Sequence, residues 1–577
     1  MSPVAHPQLA LQLPAWRSRL LLLLLLAWLG ALALRALYLQ GLDNDFLQQK
    51  GELRYSRVIE LAATRGPIVD RNHEPLAIST PVESVAASPA YVEITPEQAR
   101  RLARLLGEDV GDLRKKLADT RREFVYLKRQ LPPDEAARVV ALGIPGVFLQ
   151  REHRRYYPAG EVTAHLIGLT DVDGRGREAL ELAFEQQLAG RAGSRRVIKD
   201  RLGKIVEDME SIRAPQHGRT LALSIDARIQ YLAYRELKAA VAANRARAGS
   251  IVVLDVATGE VLAMASAPSF NPNNRGRFDP QRARNRAVTD LFEPGSTLKP
   301  LTAAAALESG AVRPESVIDT APGQFAIGNR VINDVHPQGA LTVAQVIQKS
   351  SNVGTAKIAL ELKPEKLWSL YHQIGFGAPP HSGFPGEVSG KLRAAASWRP
   401  VEQATMSYGY GISVSLLQLA RAYLIFATDG ELRDVTLLRR EAPAGATRVI
   451  SASTAHAVRR MLELAVQPGG TAPRAQVIGY RVAGKTGTVH KLEGRSYARD
   501  RFVSSFVGFA PATAPRLVVA VMIDEPSAGQ YYGGTVAAPV FSAVMAEALR
   551  ALGVPPDAPL DNVKLPLPDA QEIREEV

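Results

Sequence analysis

The chain has 577 residues, which is enough for two or three domains that each bury a core. Lys and Arg exceed Asp and Glu by 70 − 58 = 12, which suits an anionic surface, but no dense basic run with interleaved aromatic residues indicates nucleic-acid binding. The lack of cysteine excludes disulfide frameworks and Cys-ligated metals. The 10 histidines show no metal-ligand spacing, so we expect neither a metal nor a cofactor.

An apolar run near the N-terminus predicts a single membrane-spanning helix. Residues 20–39 are long enough to cross a hydrocarbon core about 30 Å thick. Arg17 and Arg19 precede the run, so the positive-inside rule places residues 1–19 in the cytoplasm and exports the rest of the chain. Ala31-Leu32-Ala33 resembles a cleavage site, which leaves a cleaved signal peptide open as the alternative.

Residues 40–217 form a first exported region that mixes helical and extended patterns, such as a helix predicted from Pro96. Two turn-rich stretches, R-G-P-I-V-D-R-N at 65–72 and R-R-Y-Y-P-A-G at 154–160, are typical of structural motifs. Residues 174–179 fit G-x-G-x-x-A by letters, but no strand and helix flank them as a dinucleotide site requires. No nucleophile–base pair is visible, so we interpret the region as a scaffold domain.

Residues 218–555 combine strands at both ends of the region with helices between them. This order predicts an α+β domain in which one antiparallel sheet is covered by helices. The predicted segments are a helix at 226–241, a hairpin over 251–264, strands at 480–489, 502–510 and 517–524, and a closing helix at 537–552. The Pro- and Asp-rich residues 556–577 are expected to form a flexible tail.

One short stretch of this domain, E-P-G-S-T-L-K-P at 293–300, suggests nucleophilic chemistry. It predicts a helix that begins near Ser296 and ends on a glycine cap at Gly310, with Ser296 and Lys299 on one face. A lysine can take the proton of a serine hydroxyl when burial or nearby cations lower the lysine pKa. Any single S-x-x-K is more often a helix cap beside a solvated lysine.

Two further motifs follow in order. Ser350 and Asn352 lie two residues apart after a helical pattern and can offer a hydroxyl and an amide to one cleft, although such a pair is usually only a polar turn. Lys485, Thr486 and Gly487 lie on a predicted strand, where glycine lets a substrate backbone approach the strand edge and pair with it. The alternative for the Lys-Thr-Gly motif is a glycine bulge without a role in binding.

The same strand contains a P-loop pattern, because residues 479–486 match G-x-x-x-x-G-K-T. A P-loop needs a helix that begins at the Lys-Thr pair. Gly487, Thr488 and Val489 oppose a helix there, so a P-loop nucleotidase remains only a weak alternative.

Ser296-x-x-Lys299, Ser350-x-Asn352 and Lys485-Thr486-Gly487 stand in the order found in penicillin-recognising serine transferases. The chain further resembles class B penicillin-binding proteins, and among them the division-specific transpeptidases. Four stretches of the second domain carry this resemblance: F-E-P-G-S-T-L-K-P, K-S-S-N-V-G, S-Y-G-Y-G-I-S-V and Y-Y-G-G-T-V-A-A-P-V-F. The anchor resembles the family's membrane span, and the two turn-rich stretches resemble its pedestal or dimerisation domain.

The resemblance implies a D,D-transpeptidase that cross-links septal peptidoglycan and is acylated by β-lactams. Its donor would be a stem peptide ending in D-Ala-D-Ala, and its acceptor would be an amine of a diaminopimelate-type residue. Ser296 would be the nucleophile, Lys299 the base, Ser350 a proton relay and Asn352 a ligand of the donor backbone, beside the cation of Lys485.

The same resemblance assigns the rest of the cleft. Backbone N–H groups of Ser296 and Thr488 would form the oxyanion hole, and the hydroxyls of Thr486 and Thr488 would bind the donor carboxylate beside Gly487. Tyr408 would contribute to substrate binding. The resemblance implies an inner-membrane protein with one span and a periplasmic bulk. Its partners would be an FtsW-type glycan polymerase and other membrane proteins of the divisome.

The chain departs from its relatives after the Lys-Thr-Gly-Thr sequence. The relatives carry Lys or Arg where this chain has His490, a titratable residue. His490 would contribute to substrate binding there, and the alternative is that it lies on a mobile loop and has no role. Ser351 replaces the aspartate of the class A β-lactamase S-D-N motif, which argues against efficient β-lactam hydrolysis. A divisome scaffold without catalytic activity is the alternative from another functional class.

Overall fold

The computed structural model describes residues 14–42, 56–199, 205–274, 276, 278–442, 445–494 and 496–565. Its helices are α1 (Ala15–Leu37), α2 (Pro96–Leu106), α3 (Val110–Ala118), α4 (Pro133–Val140), α5 (Ala164–Ile167), α6 (Ala179–Ala183), α7 (Glu185–Leu188), α8 (Ala227–Ala243), α9 (Pro280–Ala283), α10 (Arg286–Thr289), α11 (Lys299–Glu308), α12 (Val343–Lys349), α13 (Asn352–Leu360), α14 (Pro364–Gln373), α15 (Pro400–Ser407), α16 (Leu416–Ala422), α17 (Leu424–Ala427), α18 (Ala452–Val466), α19 (Gly533–Val536) and α20 (Ala538–Ala551).

The strands are β1 (Ser56–Leu61), β2 (Ile68–Val69), β3 (Pro75–Ala87), β4 (Val125–Leu131), β5 (Val147–Tyr156), β6 (Gly193–Lys199), β7 (Ile205–Arg213), β8 (Leu221–Ala222), β9 (Ala248–Asp255), β10 (Val261–Ala267), β11 (Val317–Asp319), β12 (Gln324–Ile327), β13 (Arg330–Asn333), β14 (Ala340–Thr342), β15 (Glu431–Arg433), β16 (Ala446–Arg448), β17 (Ala483–Glu493), β18 (Ser496–Ala510) and β19 (Leu517–Asp524). The mixed helix and sheet content confirms the predicted α+β class.

The chain divides into two compact units. The first comprises Met1–Ala63, Glu83–Glu152 and Arg191–Gln216, and the second comprises Thr64–Val82, His153–Gly190 and His217–Val577. The second unit therefore includes two pieces that the sequence analysis placed in the pedestal region.

The first unit contains α1 and two further parts. A helix over Ala15–Gln40 is long and apolar enough to cross a membrane by length and composition, as the sequence predicts. Strands β1, β6 and β7 form a three-stranded sheet, and α2, α3 and α4 bury a separate apolar core with β4. Helix α2 begins at the predicted position, because the Thr95 hydroxyl and the Gln98 side chain form a reciprocal capping box.

A five-stranded antiparallel sheet lies at the centre of the second unit, in the order β10-β9-β19-β18-β17. The predicted hairpin forms β9 and β10, and the three predicted late strands are β17, β19 and the inner part of β18. Strands β9, β10 and β19 are buried along their whole length because apolar clusters cover both faces of the sheet. Strand β17 is the outermost strand on one side, which leaves its edge available to a ligand backbone.

The turn-rich stretches at 65–72 and 154–160 are joined by a buried ionic network in the second unit. Glu181, which is fully buried, accepts a hydrogen bond from Arg65 Nε on one carboxylate oxygen and from Arg155 Nε on the other, each over 2.6 Å. Arg65 also pairs with Glu185 over 2.6 Å. The stretch at 174–179 supplies the turn beside this network, since Arg65 Nη1 donates to the Gly174 carbonyl over 3.2 Å. These stretches therefore have a structural role.

Buried His165 makes the second unit sensitive to acid. Its Nε2 hydrogen-bonds the Arg282 carbonyl oxygen over 2.7 Å, and its ring packs edge-on against Phe270. Burial, together with the charge of Arg286, lowers the pKa of His165 to about 4, although the hydrogen bond to Arg282 opposes the shift. The folded chain therefore binds this proton less tightly than the unfolded chain.

Stability should therefore decrease as the pH falls from the unfolded pKa of about 6.5 towards about 4, with a loss of about 3 kcal/mol from this group. We expect His165→Asn to show a correspondingly shallower loss of unfolding free energy over that range. Urea unfolding at a series of pH values measures both profiles. Parallel profiles for the two proteins would contradict the assignment.

The first part of the predicted flexible tail is held by hydrogen bonds. The Asp557 carboxylate accepts from the Arg481 backbone N–H over 2.7 Å, and Asn562 Oδ1 accepts from the Gly479 N–H over 2.9 Å. The prediction of flexibility from residue 556 needs this correction, because Asp and Asn side chains fasten the segment to the chain before β17. The rest of the predicted tail, 566–577, lies outside the described residues.

Candidate active site

Ser296 lies in a 3₁₀ turn, Gly295–Leu298, that leads directly into α11. The sequence predicts an α-helix from Ser296, whereas the α-helical bonding begins at Lys299, whose N–H donates to the Ser296 carbonyl. Gly295 explains the tight turn. Its φ is +56°, its N–H donates to Gly409, and a Cβ on it would clash with Val489. The helix ends at Gly310 as predicted, at a φ of +73°.

Lys299 links the first two motifs. Its side chain is 1% exposed, and its Nζ donates to the Ser350 carbonyl oxygen and, over 3.0 Å, to the Ser350 hydroxyl. Lys299 therefore lies on the turn after Ser296 and in contact with Ser350, which is the placement that a lysine needs to act as a base for the serine. Ser350 follows α12 with a φ of +63°, a left-handed conformation that costs a non-glycine residue about 1–2 kcal/mol.

Asp334 fixes the turn that carries the Ser-x-Asn motif. One carboxylate oxygen accepts from the backbone N–H groups of Asn352 over 2.6 Å and Val353 over 3.1 Å, and the other accepts from the Ser351 hydroxyl over 2.5 Å. These N–H groups belong to the first turn of α13, where they have no partner within the helix. Sequence reasoning missed Asp334, because no local spacing connects it with residues so far along the chain.

The Lys-Thr-Gly motif lies inside β17, and Lys485 and Thr486 are fully buried. Lys485 Nζ donates to the Thr486 hydroxyl over 3.0 Å and to the Thr486 carbonyl oxygen over 3.3 Å. The Thr488 hydroxyl accepts from the Gly533 N–H over 3.0 Å. A continuous strand crosses the Lys-Thr pair where a P-loop would begin a helix, so the nucleotidase hypothesis is wrong.

Strand β17 packs directly on the turn that carries Ser296. A Cβ added at Gly487 would lie 2.8 Å from the Pro294 carbonyl oxygen and 3.0 Å from Thr297 Cγ2, which leaves room only for glycine. Gly409 approaches the same turn from the other side, and a Cβ on it would clash with the Gly295 backbone. The three motifs predicted from sequence therefore meet around Ser296, which is 4% exposed.

Tyr408 belongs to a small apolar cluster beside the Ser-x-Asn helix. Its side chain is 8% exposed and packs with Val353 of α13 and Ile332 of β13. Its ring contacts the edge of Tyr410, whose ring in turn contacts Tyr497 of β18, with centroid distances of 5.9 and 5.6 Å. A direct role of Tyr408 in substrate binding remains a prediction.

Glu293 is a further polar group that sequence reasoning did not assign. Its Oε1 accepts from the Gly411 N–H over 2.7 Å and from the Tyr497 hydroxyl over 3.2 Å. Burial raises the pKa of the Glu293 carboxyl, and burial together with Glu293 raises the pKa of Tyr497. The carboxyl therefore ties the glycine loop and the β17–β18 hairpin to the segment before Ser296.

His490 lies within β17, opposite Phe502 of β18, and its ring packs against Phe502 at a centroid distance of 4.8 Å. The neighbouring cation is engaged elsewhere, because Lys491 Nζ forms ion pairs of 2.6 Å with both Asp524 and Glu525. His490 therefore lies in a paired strand. The alternative that it lies on a mobile loop is wrong. Among the described residues, no group of three His, Asp or Glu side chains could hold a metal ion.

Comparisons with known proteins agree with this geometry. The family model of the penicillin binding protein transpeptidase domain matches residues 249–546. The family model of the penicillin-binding protein dimerisation domain matches residues 60–223. The probable peptidoglycan D,D-transpeptidase PenA of Neisseria gonorrhoeae is 44% identical over 93% of both chains. The peptidoglycan D,D-transpeptidase FtsI of Escherichia coli K12 is 42% identical over 94% of this chain and 93% of its own.

Solved structures show the same likeness. The transpeptidase domain of Burkholderia pseudomallei penicillin-binding protein 3 is 50% identical, with a TM-score of 0.55 over 58% of this chain and 98% of that one. Penicillin-binding protein 3 of Mycobacterium tuberculosis, solved with bound aztreonam, is 29% identical, with a TM-score of 0.68 over 87% of this chain and 99% of that one. With three motifs meeting at one serine, these likenesses show that the chain belongs to the penicillin-binding protein family of peptidoglycan D,D-transpeptidases.

Proposed function

We propose that this chain cross-links peptidoglycan stem peptides at the division septum by acyl transfer through Ser296. The observation that carries the proposal is the placement of buried Lys299, which hydrogen-bonds Ser350 while β17 packs on the turn of Ser296. Relatives of similar length named peptidoglycan D,D-transpeptidase FtsI and PenA support the reaction class. The location of this activity at the division septum is proposed from the similarity to FtsI.

The acylation step uses the Lys299–Ser350 pair. Neutral Lys299 takes the proton of the Ser296 hydroxyl while Ser296 Oγ bonds to the carbonyl carbon of the penultimate D-Ala. When the tetrahedral intermediate collapses, the C–N bond to the terminal D-Ala breaks. Ser350, which hydrogen-bonds Lys299 Nζ, passes the proton to the departing amine. The products are an acyl ester on Ser296 and free D-Ala.

The donor peptide is held by β17 and by the turn of Asn352. Its backbone pairs with the outer edge of β17, beside Gly487, and Asn352 contacts it from the opposite wall. The hydroxyls of Thr486 and Thr488 bind its terminal carboxylate in the field of Lys485. Backbone N–H groups of Ser296 and Thr488 stabilise the developing oxyanion.

Transfer completes the reaction. An amine of a diaminopimelate-type residue from a second stem peptide attacks the ester carbonyl, and the proton it releases returns to Ser296 Oγ through Lys299. A new amide forms and the free enzyme is restored. A β-lactam opens on the same serine because its ring amide takes the place of the D-Ala–D-Ala bond.

The helix over Ala15–Gln40 anchors the chain as a single span, with its N-terminus in the cytoplasm and its bulk in the periplasm. An FtsW-type polymerase and other divisome membrane proteins are the proposed neighbours. Fluorescent penicillin separates the enzyme from a non-catalytic scaffold. The enzyme is labelled and loses the label with Ser296→Ala, whereas a scaffold with intact motifs stays unlabelled.

We expect His490→Arg to speed acylation by a penicillin at neutral pH. His490 lies two strand positions beyond Thr488, so it shares a face of β17 with the carboxylate-binding threonines, and arginine would supply a permanent cation there. Such a cation attracts the carboxylate of the penicillin. Acylation rates of the two proteins test this, with exposed His372→Arg as the control. Identical rates would remove His490 from substrate binding.

A further inference from the structure

Asp334 lies directly after β13, in a segment that the hairpin of β12 and β13 holds in place. Its backbone N–H donates to the Gly323 carbonyl oxygen over 2.8 Å, which extends the pairing of the hairpin by one residue. Ile332 of β13 is buried in the same apolar cluster as Val353 and Ala356 of α13. The backbone that carries the Asp334 carboxylate is therefore fixed beside α13 independently of the contacts that the carboxylate makes.

The Asp334 carboxylate receives three hydrogen bonds from the start of α13. The N–H groups of Asn352 and Val353 donate to one oxygen and the Ser351 hydroxyl donates to the other, over 2.5–3.1 Å. The Ser351 oxygen in turn accepts from the Gly354 N–H over 2.8 Å, so Asp334 also orients the residue that caps the helix. Hydrogen bonds to a carboxylate are roughly twice as strong as those between neutral groups, so this turn is firmly held.

These contacts set the direction of the Asn352 side chain. The two N–H groups belong to the peptide planes before and after the Asn352 Cα, so holding both planes fixes the backbone torsions of this residue and the direction of its Cα–Cβ bond. The first side-chain torsion is limited to staggered values, and the residue is only 7% exposed. The direction of the Asn352 amide therefore depends on a residue 18 positions earlier in the chain.

We propose that Asp334 is a positioning residue, which preorganises the Asn352 amide for the amide group that precedes the scissile bond of the donor peptide. A β-lactam with an acylamino side chain presents the same group. The inference rests on the proposed function, in which Asn352 contacts the donor backbone, and adds to it the residue that sets the strength of this contact. Asp334 does not touch the ligand. Its loss should weaken the reaction of ligands that carry this amide and spare ligands that lack it.

The test compares two probes on the detergent-solubilised full chain. Benzylpenicillin carries an acylamino group at C6, whereas penicillanic acid has the same ring system and carboxylate without a substituent there. Mass spectrometry of the intact chain gives the second-order rate constant of acylation for wild type, Asp334→Ala, Asn352→Ala and the double variant. Asp319→Ala is the matched control, because exposed Asp319 ends β11 and accepts from the Ala321 N–H over 3.0 Å, outside the Ser-x-Asn turn. Thermal melting checks that each variant is folded.

With Asp334→Ala, we expect the rate constant for benzylpenicillin to fall about 3- to 10-fold, the usual contribution of one hydrogen bond between neutral groups. The rate constant for penicillanic acid should stay near that of the wild type. In the Asn352→Ala background, Asp334→Ala should cause no further loss with benzylpenicillin, because the two residues act through one contact. Asp334→Asn should lose less than Asp334→Ala, since its side-chain oxygen can still accept from the two N–H groups, and it provides a second variant in case alanine disturbs folding.

Three outcomes overturn the inference separately from the proposed function. Equal losses for the two probes with Asp334→Ala would show that Asp334 supports the whole turn and not the Asn352 amide in particular. Equal losses in the wild-type and Asn352→Ala backgrounds would show that it acts through another group. An unchanged rate constant in folded Asp334→Ala would show that Asn352 is positioned without it. Failure of benzylpenicillin to acylate the wild type would overturn the proposed function, and this inference with it.

Discussion

Lys299→Ala should lower the rate of acylation by penicillin about 10²–10⁴-fold at neutral pH, the usual contribution of a general base. The reason is geometric, because Lys299 is buried on the turn after Ser296 and its Nζ donates to both oxygens of Ser350. Removing it takes away the proposed proton acceptor for Ser296 and its link to Ser350, the proposed proton relay. Stopped-flow measurements with a chromogenic β-lactam give the rate constant.

The control for this variant is Lys366→Ala, at an exposed position of α14, which should react as the wild type does. Loss of Lys299 also removes one donor from each of the two oxygens of Ser350, so thermal melting must show that the variant is folded. Acylation of folded Lys299→Ala within a few-fold of the wild type would assign the base to another group.

Glu181→Gln should be the most destabilising single change among those considered, with a loss of about 3–5 kcal/mol in the free energy of unfolding. Glu181 is fully buried, and its two oxygens accept from Arg65 and Arg155. Glutamine has the same shape but leaves these guanidinium groups buried beside a neutral amide, which turns one former acceptor into a donor. Urea unfolding of both proteins measures the loss.

Glu185→Gln is the matched control, because Glu185 pairs with the same Arg65 but is 33% exposed. Water can replace part of its interaction, so this variant should lose only about 1 kcal/mol or less. Equal losses for the two variants would show that the burial of Glu181 does not determine the strength of the network. A Glu181→Gln protein as stable as the wild type would contradict the account of the turn-rich stretches.

Regular patterns allowed much of the fold to be predicted. The hairpin of β9 and β10 and the late strands follow from apolar runs between turn residues, and α2 follows from a capping pattern. The position of Ser296 in a 3₁₀ turn could not be predicted, because it depends on Gly295 meeting Gly409 and Val489, which are distant in sequence.

The site could be predicted only where its residues lie in short motifs. Ser296 with Lys299, Ser350 with Asn352, and Lys485 with Thr486 each have a fixed spacing that sequence shows directly. Side chains that act across the fold have no such spacing. Asp334 and Glu293 became visible only when the structure placed them against the motifs.

The predicted flexibility of the tail was wrong in part for a similar reason. Proline and aspartate suggest a flexible segment by composition, but Asp557 and Asn562 find backbone partners before β17. Composition describes local preference, whereas these partners are supplied by a segment of the chain far away in sequence.

Mass spectrometry of the intact chain after exposure to penicillin tests the central proposal most directly. We predict one adduct per chain, with the mass of the intact penicillin, located by peptide mapping on Ser296. Ser296→Ala should carry no adduct and should melt at nearly the same temperature as the wild type, because this hydroxyl is not part of the core. An adduct on any other residue, or an unmodified wild-type chain, would contradict the assignment of Ser296 as the nucleophile.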